Sequence, residues 1–361
     1  MSLKYIRKIK KKVLLQKKLK KNREWLFREE NTLMNLFDTP QLTGDELKQI
    51  FSIWGPAGLT ASLTNEFRIF KKISGFDPQF LPSSLYYPLI IKSLNPTSYS
   101  AFYENKAFFD LILKGLKRPR TIIKNVEGNS FNNEFLPISK HQVLQKILKE
   151  DKIFIKPISG SFGGRGVKSI NIEEYSSNEI IKILDSYSKN YIIQEVIVQH
   201  EDTRIFNESS VNTLRVTSLF LNGKTTILFV LLMVGSPGNI ADNSAGSLRV
   251  KISKDGSLDH KAFNKNLLKF EKSENGVPFK NKKITHYQKC INMVLDNHSR
   301  YFPMCGLLGW DLAINSKGEV VVIEVNTRVP GIRTGQICCG PLFGERTKEV
   351  IEYYKKHPPL L

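Results

Sequence analysis

Three groups of residues in this chain have the types and the spacing to do chemistry. Lys156 closes the apolar run KIFIKP, and Ser159-Gly160-Ser161-Phe162-Gly163-Gly164-Arg165-Gly166 follows it. Glycine lets backbone amides approach oxyanions closely, and a row of amides beside a lysine charge is what a polyphosphate requires. The order fits neither GxxxxGK[ST] nor a GxGxxG that opens a helix, because the lysine precedes the loop and β-type residues follow it. A glycine-rich hairpin turn is the alternative. The second group is Asp311 in LGWDLAIN with Glu324 and Asn326 in VVVIEVNTRVPG. Side chains alternate along a strand, so Glu324 and Asn326 share a face, and Asp311 joins them if the two runs pair antiparallel. Two carboxylates and an amide suit Mg²⁺, and two acids inside buried strands are costly without a metal or partner. Paired surface carboxylates are the alternative. The third group is Gln194-Glu195-Val196-Ile197, a strand end able to offer backbone groups to an adenine edge while Glu195 accepts from an exocyclic amine.

These residues must be held by elements that the pattern also predicts. Residues 24–100 mix short helical patterns with proline and glycine punctuation, which predicts mostly helices. SYSAFYENKAFFDLILKGL, 98–116, reads as one helix ending at Gly115, with a strand after RPR. The helix HQVLQKILKE leads into the strand KIFIKP. From there the chain is strand-rich. YIIQEVIVQH (191–200), LRVTSLFLNGKTTILFVLLMVGS (214–236) and SLRVKISKDGSL (247–258) read as antiparallel strands of one sheet, with a hairpin turn at Asn222-Gly223. A helix over 285–302 precedes the last strand pair, GLLGWDLAIN and EVVVIEVNT, joined by Ser316-Lys317-Gly318. The fold class is α+β.

Composition narrows the function classes. The 361 residues allow two or three domains, and 41% hydrophobic content suffices for a core. No run approaches the ~20 apolar residues of a membrane span, and the N-terminus lacks the apolar core of a signal peptide, so a cytoplasmic chain is expected. Cys290, Cys305, Cys338 and Cys339 lack paired metal spacing and read as ordinary thiols, with the vicinal pair Cys338-Cys339 as a redox alternative. The net charge of +20 is concentrated: residues 1–23 hold eleven Lys or Arg and no acid, leaving 43 basic against 34 acidic residues elsewhere. With Leu3, Ile6, Ile9, Val13 and Leu14 near helical spacing, this segment reads as a basic amphipathic helix suited to anionic lipid. A solvated arm and nucleic-acid binding are its alternatives.

In their joint order, the blocks FIKPISGSFGGRGV, QEVIVQH followed by SVNTLRVTS, ADNSAGSLRVKIS, and GLLGWDLAIN with VVVIEVNTRVPG resemble the ATP-grasp enzymes. Specifically, the chain is similar to the sugar-transfer-associated ATP-grasp family found with polysaccharide biosynthesis genes, over residues 98–340. The resemblance implies two α+β subdomains gripping ATP, preceded by a small α/β-like domain. In that frame residues 1–30 are a basic extension, 31–125 a substrate-side domain, 126–200 the small subdomain with the glycine loop, and 201–361 the large subdomain with the metal site. It implies that Lys106 and Lys156 contact ATP phosphates, that Ser161, Phe162, Gly163, Gly164 and Gly166 lie in a loop closing over them, and that Glu195, Val196 and Ile197 hold adenine. Asp311, Glu324 and Asn326 would carry Mg²⁺. Thr327-Arg328 depart from the small residue that often follows the metal-ligand asparagine in relatives, which puts Arg328 toward the acyl substrate.

Arg215 and Arg249, on strands after the hinge, are suited to the γ-phosphate or a substrate carboxylate through bidentate guanidinium contacts. Asn212, Asp242 and Asn243 are candidates for the nucleophile or ribose, or for structural hydrogen bonds, and His200 and Glu201 for ribose or the surface. The expected activity is an ATP- and Mg²⁺-dependent ligase that activates a carboxylate as acyl phosphate for attack by an amine, on a small-molecule or lipid-linked sugar substrate, in contact with an anionic membrane and without nucleic acid. A kinase acting on a sugar hydroxyl and a non-catalytic nucleic-acid-binding protein are the rival readings.

Overall fold

A computed structural model describes residues 24–159, 166–235 and 247–359. The chain forms two compact units, Met1–Thr97 with Gly331–Leu361, and Ser98–Pro330. The division expected at residue 125 therefore falls inside a strand of the second unit, and residues 331–361 group with the N-terminal helices instead of with the large sheet. Residues 1–23, the basic segment, lie outside the described residues, as do 160–165 and 236–246; the helix over 24–37 is the first described element.

The first unit is helical, as its punctuation predicts. Thr43 caps the helix Gly44–Trp54 in a reciprocal capping box with Glu46, and helix Asn65–Ser74 buries Phe67, Ile69 and Phe70. Its interior also holds an ionic cluster. Arg333 Nε lies 2.5 Å from Glu66 Oε1 and its Nη1 2.9 Å from Glu29, while Ser83 donates to Glu66 through both its backbone N–H and its hydroxyl.

The second unit carries two antiparallel sheets. Strands β1 (Thr121–Val126), β2 (Asn129–Phe131), β3 (Lys152–Pro157), β4 (Lys168–Asn171) and β5 (Tyr191–Glu195) form the first, ordered β2-β1-β5-β3-β4. Strands β6 (Thr213–Leu221), β7 (Lys224–Val234), β8 (Leu248–Ile252), β9 (Leu258–Phe263), β10 (Lys269–Phe270), β11 (Leu307–Ile314) and β12 (Val320–Asn326) form the second, ordered β10-β9-β8-β7-β6-β11-β12. The run 191–200 thus belongs to a different sheet from 214–236, because β5 inserts between β1 and β3. Local periodicity cannot distinguish two sheets whose strands have the same pattern.

Each sheet has one face in a core. Val143, Ile147, Ile180 and Leu184, from two helices opened by the capping boxes Ser139/Gln142 and Ser176/Glu179, pack on the isoleucines of β1, β3 and β5. Cys290, Ile291 and Val294 of helix Tyr287–Tyr301 pack on Val216, Val230, Leu232, Trp310 and Leu312 of the large sheet. Each such aliphatic side chain contributes on the order of 2 kcal/mol by leaving water. One polar chain crosses this core. Trp310 Nε1 donates to Ser218 Oγ at 3.0 Å, Ser218 stands 2.8 Å from His298 Nδ1, and His298 Nε2 stands 2.9 Å from the Cys305 carbonyl. A carbonyl only accepts, so His298 carries its proton on Nε2 and every member is satisfied. Burial pushes the His298 imidazole down to about 4, which keeps it neutral.

The β6–β7 hairpin turns as read, with Asn222 and Gly223 both at positive φ and Leu221 opposite Lys224. The expected helix over 98–116 is broken. Thr97–Tyr103 stops, Asn105 Oδ1 accepts from Ala107 N at 3.1 Å, and short turns follow at Lys106–Phe108 and Phe109–Ile112. Asn105 competes for backbone donors and restarts the chain, and the Lys106 N–H donates instead to the Ile158 carbonyl at 2.9 Å.

Candidate active site

The alternation of β11 and β12 puts Leu308, Trp310 and Leu312 into the core and leaves Gly309 and Asp311 on the other face. Asp311 is opposite Glu324 and Gly309 is opposite Asn326, so all three expected metal ligands meet on that face. The next strand adds Arg215, opposite Asp311 in the β6–β11 register. Its Nε and Nη2 donate to the two Asp311 oxygens at 2.5 and 2.9 Å, a bidentate fork. Asn326 Nδ2 donates to Asp311 Oδ2 at 3.0 Å and to the Gly309 carbonyl at 3.2 Å. Gly309 makes this crowding feasible, since a Cβ there would come within 3.4 Å of Arg215 Cδ and 3.3 Å of Pro330 Cβ.

The small sheet and the broken helix supply two lysines to the same place. Lys106, 4% exposed, puts its Nζ 3.0 Å from Glu324 Oε1. Lys156, at the end of β3, is also buried. Burial pushes its ammonium down to about 8, Glu324 and Asp311 oppose that shift, and Lys106 adds to it. Burial alone would raise the Glu324 carboxyl; Lys106, Lys156 and Arg215 outweigh it and hold the group below its ordinary value. Among the described residues three cations thus stand around two carboxylates in a mostly buried cluster. Cations held together in a buried cluster favour an anion beside them, and a polyphosphate is an anion of the right kind.

The donor set fits a hard divalent cation: two carboxylates and an amide oxygen source on adjacent strands, with no sulfur or imidazole among them. Among the described residues there is no group of three or more His, Cys, Asp or Glu, so the amide of Asn326 is needed to complete the set.

Other expected residues stand elsewhere. Ser161, Phe162, Gly163, Gly164 and Arg165 lie outside the described residues, as do Asp242 and Asn243. Gly166 has φ +72, and a Cβ would stand 3.1 Å from Pro157 Cγ, so the loop returns to β4 through a conformation that favours glycine. Glu195 does not offer a free carboxylate to adenine: Arg120 N donates to its Oε1 at 3.0 Å and Arg120 Nε lies 3.4 Å from Oε2. Val196 and Ile197 are half-buried. Arg328 is half-exposed and paired with Glu104 at 3.3 Å, which turns it to the loop before Lys106. Arg249 is buried and donates to the Ser247 carbonyl at 3.1 Å. His200 caps the short helix Glu201–Arg204 and meets His286 edge-on at 4.9 Å.

Asn212 is structural. It is fully buried, and its amide donates to Gln199 Oε1 and to the Thr203 and Asn207 carbonyls at 2.8–3.0 Å, leaving nothing for a nucleophile or ribose. Gly235 closes this knot. A Cβ there would come within 2.2 Å of Ser210 Oγ, which accepts from Asn207 Nδ2 at 2.9 Å. Gly235→Ala is expected to lower unfolding free energy by about 1–3 kcal/mol. The double variant with Ser210→Ala should recover most of the loss; equal denaturation midpoints for Gly235→Ala and the parent would contradict it.

The sequence profile of the sugar-transfer associated ATP-grasp family matches residues 89–352. The chain belongs to that family. The site described above lies within the matched residues. No curated protein matches it. Solved structures similar to this ATP-grasp chain include an L-amino acid ligase from Bacillus licheniformis, with 13% identity, a TM-score of 0.42, and coverage of 72% of this chain and 49% of that one. D-alanyl-alanine synthetase A from Vibrio cholerae has 12% identity and a TM-score of 0.41, covering 72% and 66%. The ATP-grasp ligase PsnB, solved with Mg and ADP, has 13% identity and a TM-score of 0.41, covering 72% and 61%. The ATP-grasp chain thus spans about half the length of the first and just under two thirds of the other two.

Proposed function

We propose that this chain ligates a carboxylate to an amine at the expense of ATP, on a sugar acid or amino-acid donor for a sugar conjugate. The observation that carries the reading is the cluster of Lys106, Lys156 and Arg215 around Asp311, Glu324 and Asn326 on one sheet face. Asp311, Glu324 and Asn326 would hold Mg²⁺, which when bound offsets charge on the phosphates. Lys106 and Lys156 supply fixed positive charge from buried positions, so little reorganisation is needed as negative charge develops. A substrate carboxylate oxygen attacks the γ-phosphorus and ADP departs; the amine nitrogen then attacks the acyl carbon, loses a proton and expels inorganic phosphate. Arg215 keeps Asp311 oriented through its fork, and no side-chain nucleophile is required.

The test is product analysis over amino acids, uronic acids and nucleotide sugars. ADP and inorganic phosphate should form only when a carboxylate and an amine are both present. ADP without free phosphate would replace this reading with transfer to a sugar hydroxyl. The eleven basic residues of 1–23 support placing the chain on an anionic membrane surface. Vesicle co-sedimentation unchanged by their removal would withdraw that placement.

A further inference from the structure

Ile123, Ile193 and Ile155 pair across β1, β5 and β3 and pack under the two helices of the small sheet. The next row, Lys124, Ile192 and Lys156, therefore points to the opposite face. Phe135 covers the start of that row. Its ring centroid lies 3.9 Å from Lys124 Nζ, and it packs against a small apolar cluster of Ala107, Ile158 and Ile192. Phe108 stacks on Phe135 with centroids 5.4 Å apart, and Phe102 stacks on Phe108 at 5.8 Å. A column of three rings thus runs from Lys124 to the turn that carries Lys106.

Phe135 holds its place at φ +62, a conformation that a bulky side chain seldom adopts. The surroundings impose it. Asn132 Oδ1 accepts from Glu134 N at 3.0 Å and from Leu136 N at 2.9 Å, while Phe135 N donates to the Asn132 carbonyl at 3.2 Å. Lys124, fully buried, donates to the Asn133 carbonyl at 2.8 Å and pairs with Asp110 at 2.8 Å, which fixes the cation under the ring. Strain of this kind persists only where the neighbouring structure over-determines it, and it gathers at sites that need a fixed geometry.

The far end of the column bears on Lys106. The Lys106 N–H donates to the Ile158 carbonyl at 2.9 Å, and its Nζ lies 3.0 Å from Glu324. Ile158 directly precedes Ser159, where the glycine-rich run begins. The rings therefore press where the Lys106 turn and the entry to that run are joined. We infer that Phe135 is a positioning residue, which through Phe108 and Ile158 keeps the Lys106 ammonium on Glu324. A displacement of about 1 Å in a group that must meet a reacting phosphate can cost on the order of 10²-fold in rate, which gives the strained turn its use. The phosphate role of Lys106 rests on the ligase reading, whereas its placement by the ring column does not.

The experiment is a double-mutant cycle on the full chain, read by calorimetric titration with Mg²⁺ and a non-hydrolysable ATP analogue. Phe135→Leu should weaken analogue binding about 5- to 20-fold in the parent and less than twofold in a Lys106→Met background, because the ring then has no ammonium to place. Phe135→Tyr keeps the ring and should stay within twofold of the parent. Equal losses in the two backgrounds, parental affinity in Phe135→Leu, or a loss in Phe135→Tyr as large as in Phe135→Leu would each overturn the assignment. If Phe135→Leu does not fold, Phe108→Leu carries the same cycle with the same expectations. Hydrogen exchange supplies a reading independent of ATP: the Lys106 amide should exchange about tenfold faster in Phe135→Leu, with amides of the Tyr287–Tyr301 helix within twofold. Unchanged exchange at Lys106 would also overturn the assignment. If the parent binds no analogue, the ATP reading falls, and the exchange rates alone decide the positioning role.

Discussion

Glu324→Gln is expected to lower Mg²⁺-dependent turnover by about 10²- to 10³-fold, a loss that added Mg²⁺ does not restore. Glutamine keeps the shape and removes the charge on which two buried lysines depend. Lys106 loses its partner at 3.0 Å, and Lys156 loses the strongest interaction opposing its downward shift. With that support gone, the Lys156 ammonium falls further below about 8 and gives up its proton more readily near neutral pH. On the proposed reading a metal ligand and two phosphate-directed charges are therefore weakened together. Such coupled losses do not add, so Glu324→Gln combined with Lys106→Met should be little worse than Glu324→Gln alone. The measurement is steady-state phosphate release against Mg²⁺ concentration, with circular dichroism to verify folding. Turnover within threefold of the parent in a folded Glu324→Gln protein would remove Glu324 from the site.

The second large effect is on stability and belongs to the helical unit. Glu30 is 2% exposed and shares its surroundings with Glu66, Glu29 and Arg333. Burial is the main cause raising its carboxyl to about 8, Glu66 and Glu29 add to it, and Arg333 opposes it. Its ordinary value is 4.5, so between that pH and about 8 the folded chain keeps a proton that the unfolded chain releases. The stabilisation is whole below the ordinary value and drains away as pH rises through 8. Glu30→Gln mimics the protonated acid at every pH. It is expected to be more stable than the parent by roughly 2–4 kcal/mol at pH 8 and nearly equal to it near pH 4. Guanidinium unfolding at several pH values checks this, and parallel pH dependences for the two proteins would exclude Glu30 as the cause. The cluster also explains why Glu66 tolerates full burial: two Ser83 donors and Arg333 satisfy it.

Much of the candidate site was legible because a strand has a period of two. That period alone puts Glu324 and Asn326 together and separates them from Val325, which points into the core. The turn at Asn222-Gly223 was equally local, since two consecutive positive φ values suit few other pairs. Lys156 and its glycine loop could be seen as a motif but not weighed, because a phosphate loop and a hairpin turn make the same demands on glycine.

The α+β class, the two-residue grouping on β12, the helical first unit and the chain order of the glycine-loop, strand-end and acid blocks could all be read from the residues alone. Tertiary structure alone decided which of the polar residues are free to act. Asn212 and Glu195 have the same chemistry as a functional amide and a functional acid, yet three carbonyl or amide acceptors hold one and Arg120 the other. Lys124 carries no motif, and only the register through Ile192 puts it on the row of Lys156. The physical reason is range. Alternation and turn geometry act over a few residues, whereas counter-charge joins residues as distant as Arg120 and Glu195, 75 positions apart, or Arg215 and Asp311, 96 apart, whose pairing depends on the register of the whole sheet.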